Sequence, residues 1–85
     1  MKKVKIYTTN YCPYCSRAKS VMDRHGVSYE EIDASGDDAL RKELVEKTGM
    51  MTVPQIFIGE VAIGGCQELE ALVQEGKFLP MVEGD

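Results

Sequence analysis

The chain has 85 residues, with 10 Lys and Arg against 14 Asp and Glu and a formal net charge of −4 at pH 7. Its 44% hydrophobic and 28% charged content is typical of a folded domain, and the length predicts a single domain spanning residues 1–85. The acidic balance argues against nucleic acid or an anionic membrane as partner. Because no stretch has the length of a membrane span or the pattern of a signal peptide, we expect a cytoplasmic protein.

Hydrophobic periodicity and capping residues predict seven elements in the order βαβαββα. The strands show β-prone alternation, and the helices show apolar residues at spacings of three and four. In chain order the elements are a strand at 4–8, a helix at 13–25, a strand at 27–32, a helix at 38–48, strands at 55–58 and 61–63, and a helix that follows Gly64-Gly65 and ends near Gly76. Residues 78–82 are predicted to pack as a final apolar turn.

This order of elements predicts the topology of the sheet. Two strands joined through a helix are parallel by the right-handed crossover rule. The last two strands flank Gly59-Glu60, which is typical of a tight antiparallel hairpin. The fold class is therefore α/β, a four-stranded mixed sheet with helices on both faces.

The segment Cys12-Pro13-Tyr14-Cys15 lies between the first strand and the first helix. The first sulfur stands at the helix N-terminus, where unpaired N–H groups and the helix dipole favour a thiolate. The second sulfur lies about one turn along and is expected to be less exposed. Cys12 is therefore the candidate nucleophile, and Cys15 is the candidate thiol that resolves a mixed disulfide on Cys12.

Other interpretations of this cysteine pair exist. Two cysteines at this spacing form half of many zinc sites, but the further ligands that the sequence offers are Cys66 and His25. The pair could also be two inert, buried small residues. A position between strand and helix favours redox chemistry over both, and we expect no bound metal.

At three motifs the chain resembles the glutaredoxins: Cys12-Pro13-Tyr14-Cys15, Thr52-Val53-Pro54 and Gly64-Gly65. The resemblance covers nearly the whole chain, and the first motif is typical of the dithiol class. It implies a thioredoxin fold and the reduction of protein–glutathione mixed disulfides and protein disulfides. Glutathione would be the co-substrate, with no tightly bound cofactor. Because nothing in the sequence indicates a large exposed apolar interface, we expect a monomer.

The resemblance also implies where glutathione binds. Pro54 would be cis and would present the Val53 backbone to Cys12, where an extended thiol substrate pairs like an added strand. N–H groups at the start of the last helix would hold the γ-glutamyl carboxylate, Glu68 the ammonium group, and Arg41 the glycyl carboxylate. The implied glutathione-binding residues are Tyr14, Arg41, Thr52, Val53, Pro54, Gly65, Cys66, Gln67 and Glu68.

Two positions depart from the pattern of the family. Thr9 stands where many members have Lys or Arg, so the helix N-terminus must stabilise the thiolate without that cation. Gln67-Glu68 replaces a pair of shorter residues, which predicts a looser ammonium contact and a poorly capped last helix. Cys66 is either a buried small residue or a thiol open to glutathionylation.

Two alternative functions stay open at this stage. The first is a dimer in which two Cys12 thiolates and two glutathiones hold a [2Fe–2S] cluster, which Pro13 disfavours. The second is the same redox chemistry with a flavoenzyme like thioredoxin reductase as the electron donor instead of glutathione.

Overall fold

The structure is a computed structural model and describes residues 2–10, 12–50 and 52–84. It confirms the predicted order of elements and adds one short helix at the end. The elements are β1 (Val4–Thr8), α1 (Pro13–Arg24), β2 (Glu30–Asp33), α2 (Asp38–Thr48), β3 (Gln55–Ile58), β4 (Val61–Gly64), α3 (Cys66–Gln74) and α4 (Phe78–Glu83).

The four strands form one mixed sheet in the order β2-β1-β3-β4. β1 pairs in parallel with β2 and antiparallel with β3, and Ile6 lies opposite both Glu31 and Ile56. β4 continues the sheet as the antiparallel partner of β3. The parallel pair and the hairpin are thus confirmed, and β1, which leads into α1, is a central strand.

The main core lies between one face of the sheet and the helices α1, α3 and α4. Alternate side chains of β1 and β3 point into it, because successive residues of a strand face opposite sides. The largest fully buried side chains are Phe78, Ile6, Met22, Ile56, Ile58, Leu69, Val4 and Val82. Burial of this apolar surface holds α1 and α3 side by side over the sheet.

Helix α2 covers the opposite face. Thr48, at its end, donates a hydrogen bond to Oε1 of the buried Gln55, at 3.0 Å. Gln55 in turn donates to the carbonyl oxygens of Met50 and Thr52, at 2.9 and 3.0 Å. The predicted arrangement of helices on both faces is confirmed, and these bonds fix the loop that enters β3. Within the part of the chain that the structure describes, no helix is long and apolar enough to cross a membrane.

The boundaries differ from the prediction in two places. β2 begins at Glu30 rather than residue 27, because the Val27 N–H closes the end of α1 by donating to the Met22 carbonyl oxygen at 3.0 Å. The predicted apolar turn near the C-terminus is a helix, α4, whose Phe78 and Val82 are buried in the core. In both places the local pattern identified the apolar residues but assigned them to the wrong element, a strand at Val27 and a turn at 78–82.

Replacing Phe78 by alanine is expected to lower the free energy of unfolding by about 3–5 kcal/mol, because it empties part of a closely packed core. Leu79, the next residue of α4, is 38% exposed and is the matched control. Leu79→Ala should change stability by no more than about 0.5 kcal/mol. Urea unfolding measures both variants, and equal losses would show that α4 is not docked as the structure has it.

Candidate functional site

The two cysteines lie where β1 gives way to α1. Cys12 is the N-cap of α1 in an extended conformation, and its Sγ accepts a hydrogen bond from the Cys15 N–H at 3.1 Å. Cys12 and Cys15 form a disulfide across Cα atoms 5.1 Å apart. The first turn of α1 contains no acidic residue. Negative charge on the Cys12 sulfur is therefore stabilised by an N–H donor and by the positive end of the helix dipole.

The two sulfurs differ in accessibility. Cys12 is half-buried, whereas Cys15 is only 3% exposed. This confirms the predicted inequality between the two thiols. Of the two sulfurs, that of Cys12 is therefore the more accessible to a substrate.

A cis peptide bond joins Val53 to Pro54, as predicted. The carbonyl oxygen of Val53 lies 3.8 Å from the Cys12 Sγ. The loop before β3 therefore places main-chain groups directly beside the more accessible sulfur. Such exposed backbone can pair with an extended peptide in the manner of an added strand.

The two glycines before α3 make a close approach possible. Gly64 has φ +108°, and a Cβ there would lie 2.7 Å from the Cγ of Glu68. A Cβ on Gly65 would lie 3.1 Å from the carbonyl oxygen of Pro54. A side chain at Gly65 would therefore push the start of α3 away from the cis-proline loop, and one at Gly64 would displace the Glu68 side chain.

Glu68 corrects the expectation that α3 is poorly capped. Its Oε1 accepts a hydrogen bond from the Gly65 N–H at 2.7 Å, so the third residue of the helix satisfies the N-cap amide. The prediction treated Gln67 and Glu68 as weaker caps than shorter residues, and it did not consider a glutamate that reaches back to the N-cap amide. A glutamate three residues after a helix start is the signal that could have revealed this bond.

A groove of about 520 Å³ runs between the cis-proline loop and the N-terminus of α3. Most of the predicted glutathione residues line it: Tyr14, Thr52, Val53, Pro54, Gly65, Cys66, Gln67 and Glu68. Tyr14 is the most exposed large apolar side chain of this set, at 63%. The motifs far apart in the sequence thus form one surface beside the disulfide.

Arg41 does not line this groove; it is exposed on α2. The groove instead contains Arg17, whose Nε donates to Glu70 Oε2 at 2.7 Å and joins α1 to α3. The sequence does not predict this pair, since nothing in the local pattern connects residues of two separate helices. Thr9 lines a second cavity, of about 470 Å³, together with both cysteines.

Cys66 is a free thiol in the core, 4% exposed. Burial is the largest cause that raises the pKa of this thiol, and the nearby Glu70 carboxylate raises it further. Both effects disfavour the reactive thiolate, so the structure favours the buried small residue over a glutathionylation site. Among the described residues, no cluster of three or more His, Cys, Asp or Glu side chains could hold a metal ion.

Comparison with known proteins agrees with this geometry. Residues 4–63 match the protein-family model described as Glutaredoxin. A glutaredoxin from Pseudomonas aeruginosa is 53% identical over 78 residues, which cover 92% of this chain and 93% of that protein. Glutaredoxin 3 from Escherichia coli is 45% identical over 83 residues, which cover 98% of this chain and 100% of that protein.

Solved structures give the same result. The solution structure of a glutaredoxin from Brucella melitensis has a TM-score of 0.88 at 49% identity and covers 98% of this chain and 90% of that one. The crystal structure of a buckwheat glutaredoxin–glutathione complex has a TM-score of 0.89 at 37% identity, covering 95% and 76%. The fold is a thioredoxin fold, and its redox-active cysteine pair makes the protein a thiol-disulfide oxidoreductase. The chain belongs to the glutaredoxin family.

Substituting Gly64 by alanine is expected to lower the free energy of unfolding by about 2–3 kcal/mol. The positive φ strains any side chain there, and the new methyl group must also displace the Glu68 side chain that caps α3. Gly36→Ala is the matched control, because Gly36 has φ +71° but a Cβ there meets nothing within 4 Å. That control should cost only about 1 kcal/mol, and equal losses in urea unfolding would contradict the role given to the Glu68 contact.

Proposed function

We propose that this glutaredoxin uses glutathione to reduce protein–glutathione mixed disulfides and protein disulfides through Cys12 and Cys15. The observation that carries the proposal is the position of the Cys12 sulfur. It lies at the N-terminus of α1, 3.8 Å from the Val53 carbonyl oxygen, next to a groove that ends at the N-terminus of α3. The buckwheat relative, by its description, forms a complex with glutathione.

The groove offers complementary groups for a tripeptide bound through its sulfur. The cysteinyl backbone of glutathione would pair with the main chain of Val53 beside the reacting sulfur. The γ-glutamyl carboxylate would accept hydrogen bonds from the N–H groups of Cys66 and Gln67, which lie in the first turn of α3 and have no partner within the helix. Glu68 uses Oε1 to cap the helix, and its second oxygen would meet the ammonium group.

The walls and the far end of the groove complete the proposed site. Tyr14, Thr52, Pro54 and Gly65 line the walls along which the tripeptide would lie. We keep Arg41 as the proposed partner of the glycyl carboxylate, reached beyond the groove lining. Arg17, which lines the groove, is already paired with Glu70.

The deglutathionylation reaction needs only Cys12. Its thiolate attacks the glutathione sulfur of the mixed disulfide, the bond to the protein sulfur breaks, and the protein thiolate leaves and takes a proton from water. A second glutathione thiolate then attacks the glutathione sulfur on Cys12. This step releases glutathione disulfide and restores the Cys12 thiolate.

The reduction of protein disulfides needs both cysteines. Cys12 first forms a mixed disulfide with one substrate sulfur, and Cys15 then attacks Cys12 and releases the reduced substrate. The product is the Cys12–Cys15 disulfide, which is the state the structure shows. Two glutathiones reduce it and leave as glutathione disulfide.

The Cys12→Ser variant is expected to lose both activities, whereas Cys15→Ser should keep deglutathionylation and lose disulfide reduction. The reason is that only Cys12 is accessible to a substrate, while Cys15 serves the second step. NADPH consumption with glutathione reductase, glutathione and either a glutathionylated peptide or a disulfide substrate measures the two activities. If Cys15→Ser lost both activities equally, the assignment of roles would be wrong.

No turnover from the folded, reduced intact chain would have a different meaning. It would show that glutathione is not the electron donor. Repeating the assay with a flavoenzyme of the thioredoxin-reductase type in place of glutathione and its reductase would then identify the donor class.

Replacing Arg41 by methionine is expected to raise KM for the glutathionylated peptide about two- to fivefold with kcat unchanged, since an exposed charge pair contributes modestly to binding. Lys42→Met is the matched control, because Lys42 is an exposed neighbour on α2 with the same charge. Steady-state kinetics at constant ionic strength compares the two variants. Equal KM values in both would remove Arg41 from the glutathione site.

A further inference from the structure

The cavity of about 470 Å³ lies on the side of the disulfide that the proposed glutathione site does not use. It is lined by both cysteines, by the end of β1, and by two charged residues, Lys19 of α1 and Glu31 of β2. Neither Cys12 nor Cys15 is among the lining residues of the groove that would bind glutathione. The second cavity therefore gives charged groups access to the surroundings of the less exposed sulfur, Cys15.

Contacts with the neighbouring strands hold Lys19 in this cavity. Its Nζ lies 3.2 and 3.1 Å from Oε1 and Oε2 of Glu31. The buried Thr8 hydroxyl donates to the same carboxylate at 3.0 Å, so the partner of Lys19 is itself held by a central strand. The Lys19 side chain is only 28% exposed. These contacts hold the ammonium group at Glu31, on the wall of the cavity that Cys12 and Cys15 also line.

Helix geometry places Lys19 on the same face as Cys15. The two residues are four positions apart on α1, and residues at this spacing are neighbours on a helix surface. Long side chains on a helix also lean toward its N-terminus, which here is the end that carries the disulfide. Lys19 is thus the cation of α1 that is best placed to meet the Cys15 sulfur.

A cation near Cys15 would stabilise the negative charge that its sulfur carries during the reaction. Its sulfur must carry negative charge both when it attacks and when it leaves, but it is 3% exposed, and burial disfavours a charged sulfur. Its own N–H group is directed at the Cys12 sulfur. The stabilisation available to Cys12 at the helix N-terminus is therefore not shared by Cys15.

We propose that Lys19, held by Glu31, stabilises the thiolate of Cys15 across this cavity and so promotes the dithiol step. The proposal rests on the proposed function. In that step Cys15 loses its proton to water and attacks the Cys12 sulfur of the mixed disulfide. The bond from Cys12 to the substrate sulfur breaks, the substrate sulfur leaves with the electron pair and takes a proton from water, and the Cys12–Cys15 bond forms.

Tyr29 and Asp23 also lie near the Lys19 ammonium. Tyr29, before β2, has a raised pKa, caused first by burial and then by the charge of Asp23 on α1. Its phenol is therefore neutral at physiological pH and does not oppose Lys19. Asp23 and Glu31 are the acids near Lys19, and of the two only Glu31 lines the cavity with the cysteines.

The direct test is the titration of Cys15 in the Cys12→Ser variant, followed by NMR of protein labelled with ¹³C at cysteine Cβ. In this background Lys19→Met should raise the midpoint of the Cys15 titration by about one pH unit. The signal of Cys66 is resolved separately and should not move. Lys19→Arg restores the positive charge and should return the midpoint close to its starting value.

Lys77→Met is the matched control. Lys77 forms an exposed ion pair with Glu75 at 3.1 Å, far along the chain from the disulfide, so its loss changes the net charge equally. This variant should leave the Cys15 midpoint unchanged. A second control, Lys19→Met combined with Glu31→Gln, removes the unpaired carboxylate that Lys19→Met alone leaves behind. The midpoint of this double variant should remain raised.

Kinetics supplies the second measurement. With the native cysteines, Lys19→Met should slow the resolving step about five- to tenfold at pH 7 in stopped-flow reduction of a protein disulfide. In the Cys15→Ser background, Lys19→Met should change deglutathionylation less than about twofold, since that reaction does not use Cys15. A structural defect in α1 would slow both reactions.

Two results would overturn the inference. One is an unchanged Cys15 midpoint in folded Lys19→Met, with Lys19→Gln measured in its place if the methionine variant does not fold. The other is a full return of the midpoint in the double variant, which would assign the effect to Glu31. Because the titration needs no substrate, failure of glutathione-dependent turnover would count against the proposed function alone.

Discussion

The hydrogen bond from the Cys15 N–H to the Cys12 sulfur is the contact on which the rest of the site depends. It exists because Cys12 leaves β1 in an extended conformation and caps α1. A central strand packed into the core fixes where that cap stands. The result is a pair of thiols in which only one has both solvent access and the electrostatic support of a helix N-terminus.

The two sides of the disulfide are built from different parts of the chain. The cis-proline loop and the start of α3 form the groove on one side, where backbone groups and a helix N-terminus suit a peptide with a carboxylate. The end of β1, the first two turns of α1 and Glu31 of β2 form the cavity on the other side, where Lys19 and Glu31 form an ion pair. In the proposed function, substrate recognition and the chemistry of Cys15 are thereby separated in space.

Local patterns predicted the elements well where one face of a segment is buried and capping residues mark its ends. Helix α2 has the predicted bounds, with Gly49 at φ +73° as its left-handed cap. The pattern failed at Val27, whose N–H closes the end of α1, and at Phe78, which begins α4. It also missed the role of Glu68, whose carboxylate turns back to the backbone of Gly65. A sequence shows which residues are apolar or charged, but not which neighbour each will meet.

The sequence by itself indicated the class of protein, because the motifs that resemble the family are short and local, the spacing of Cys12 and Cys15 at the start of a helix among them. It also identified the cis-proline and the paired glycines through their resemblance to a family. Only the tertiary structure shows that Arg17 and not Arg41 lines the groove. It also shows that Lys19 and Glu31 line the second cavity together with Cys12 and Cys15. These pairings join residues of separate helices and strands, and only the packing of those elements around one core brings their side chains within contact distance.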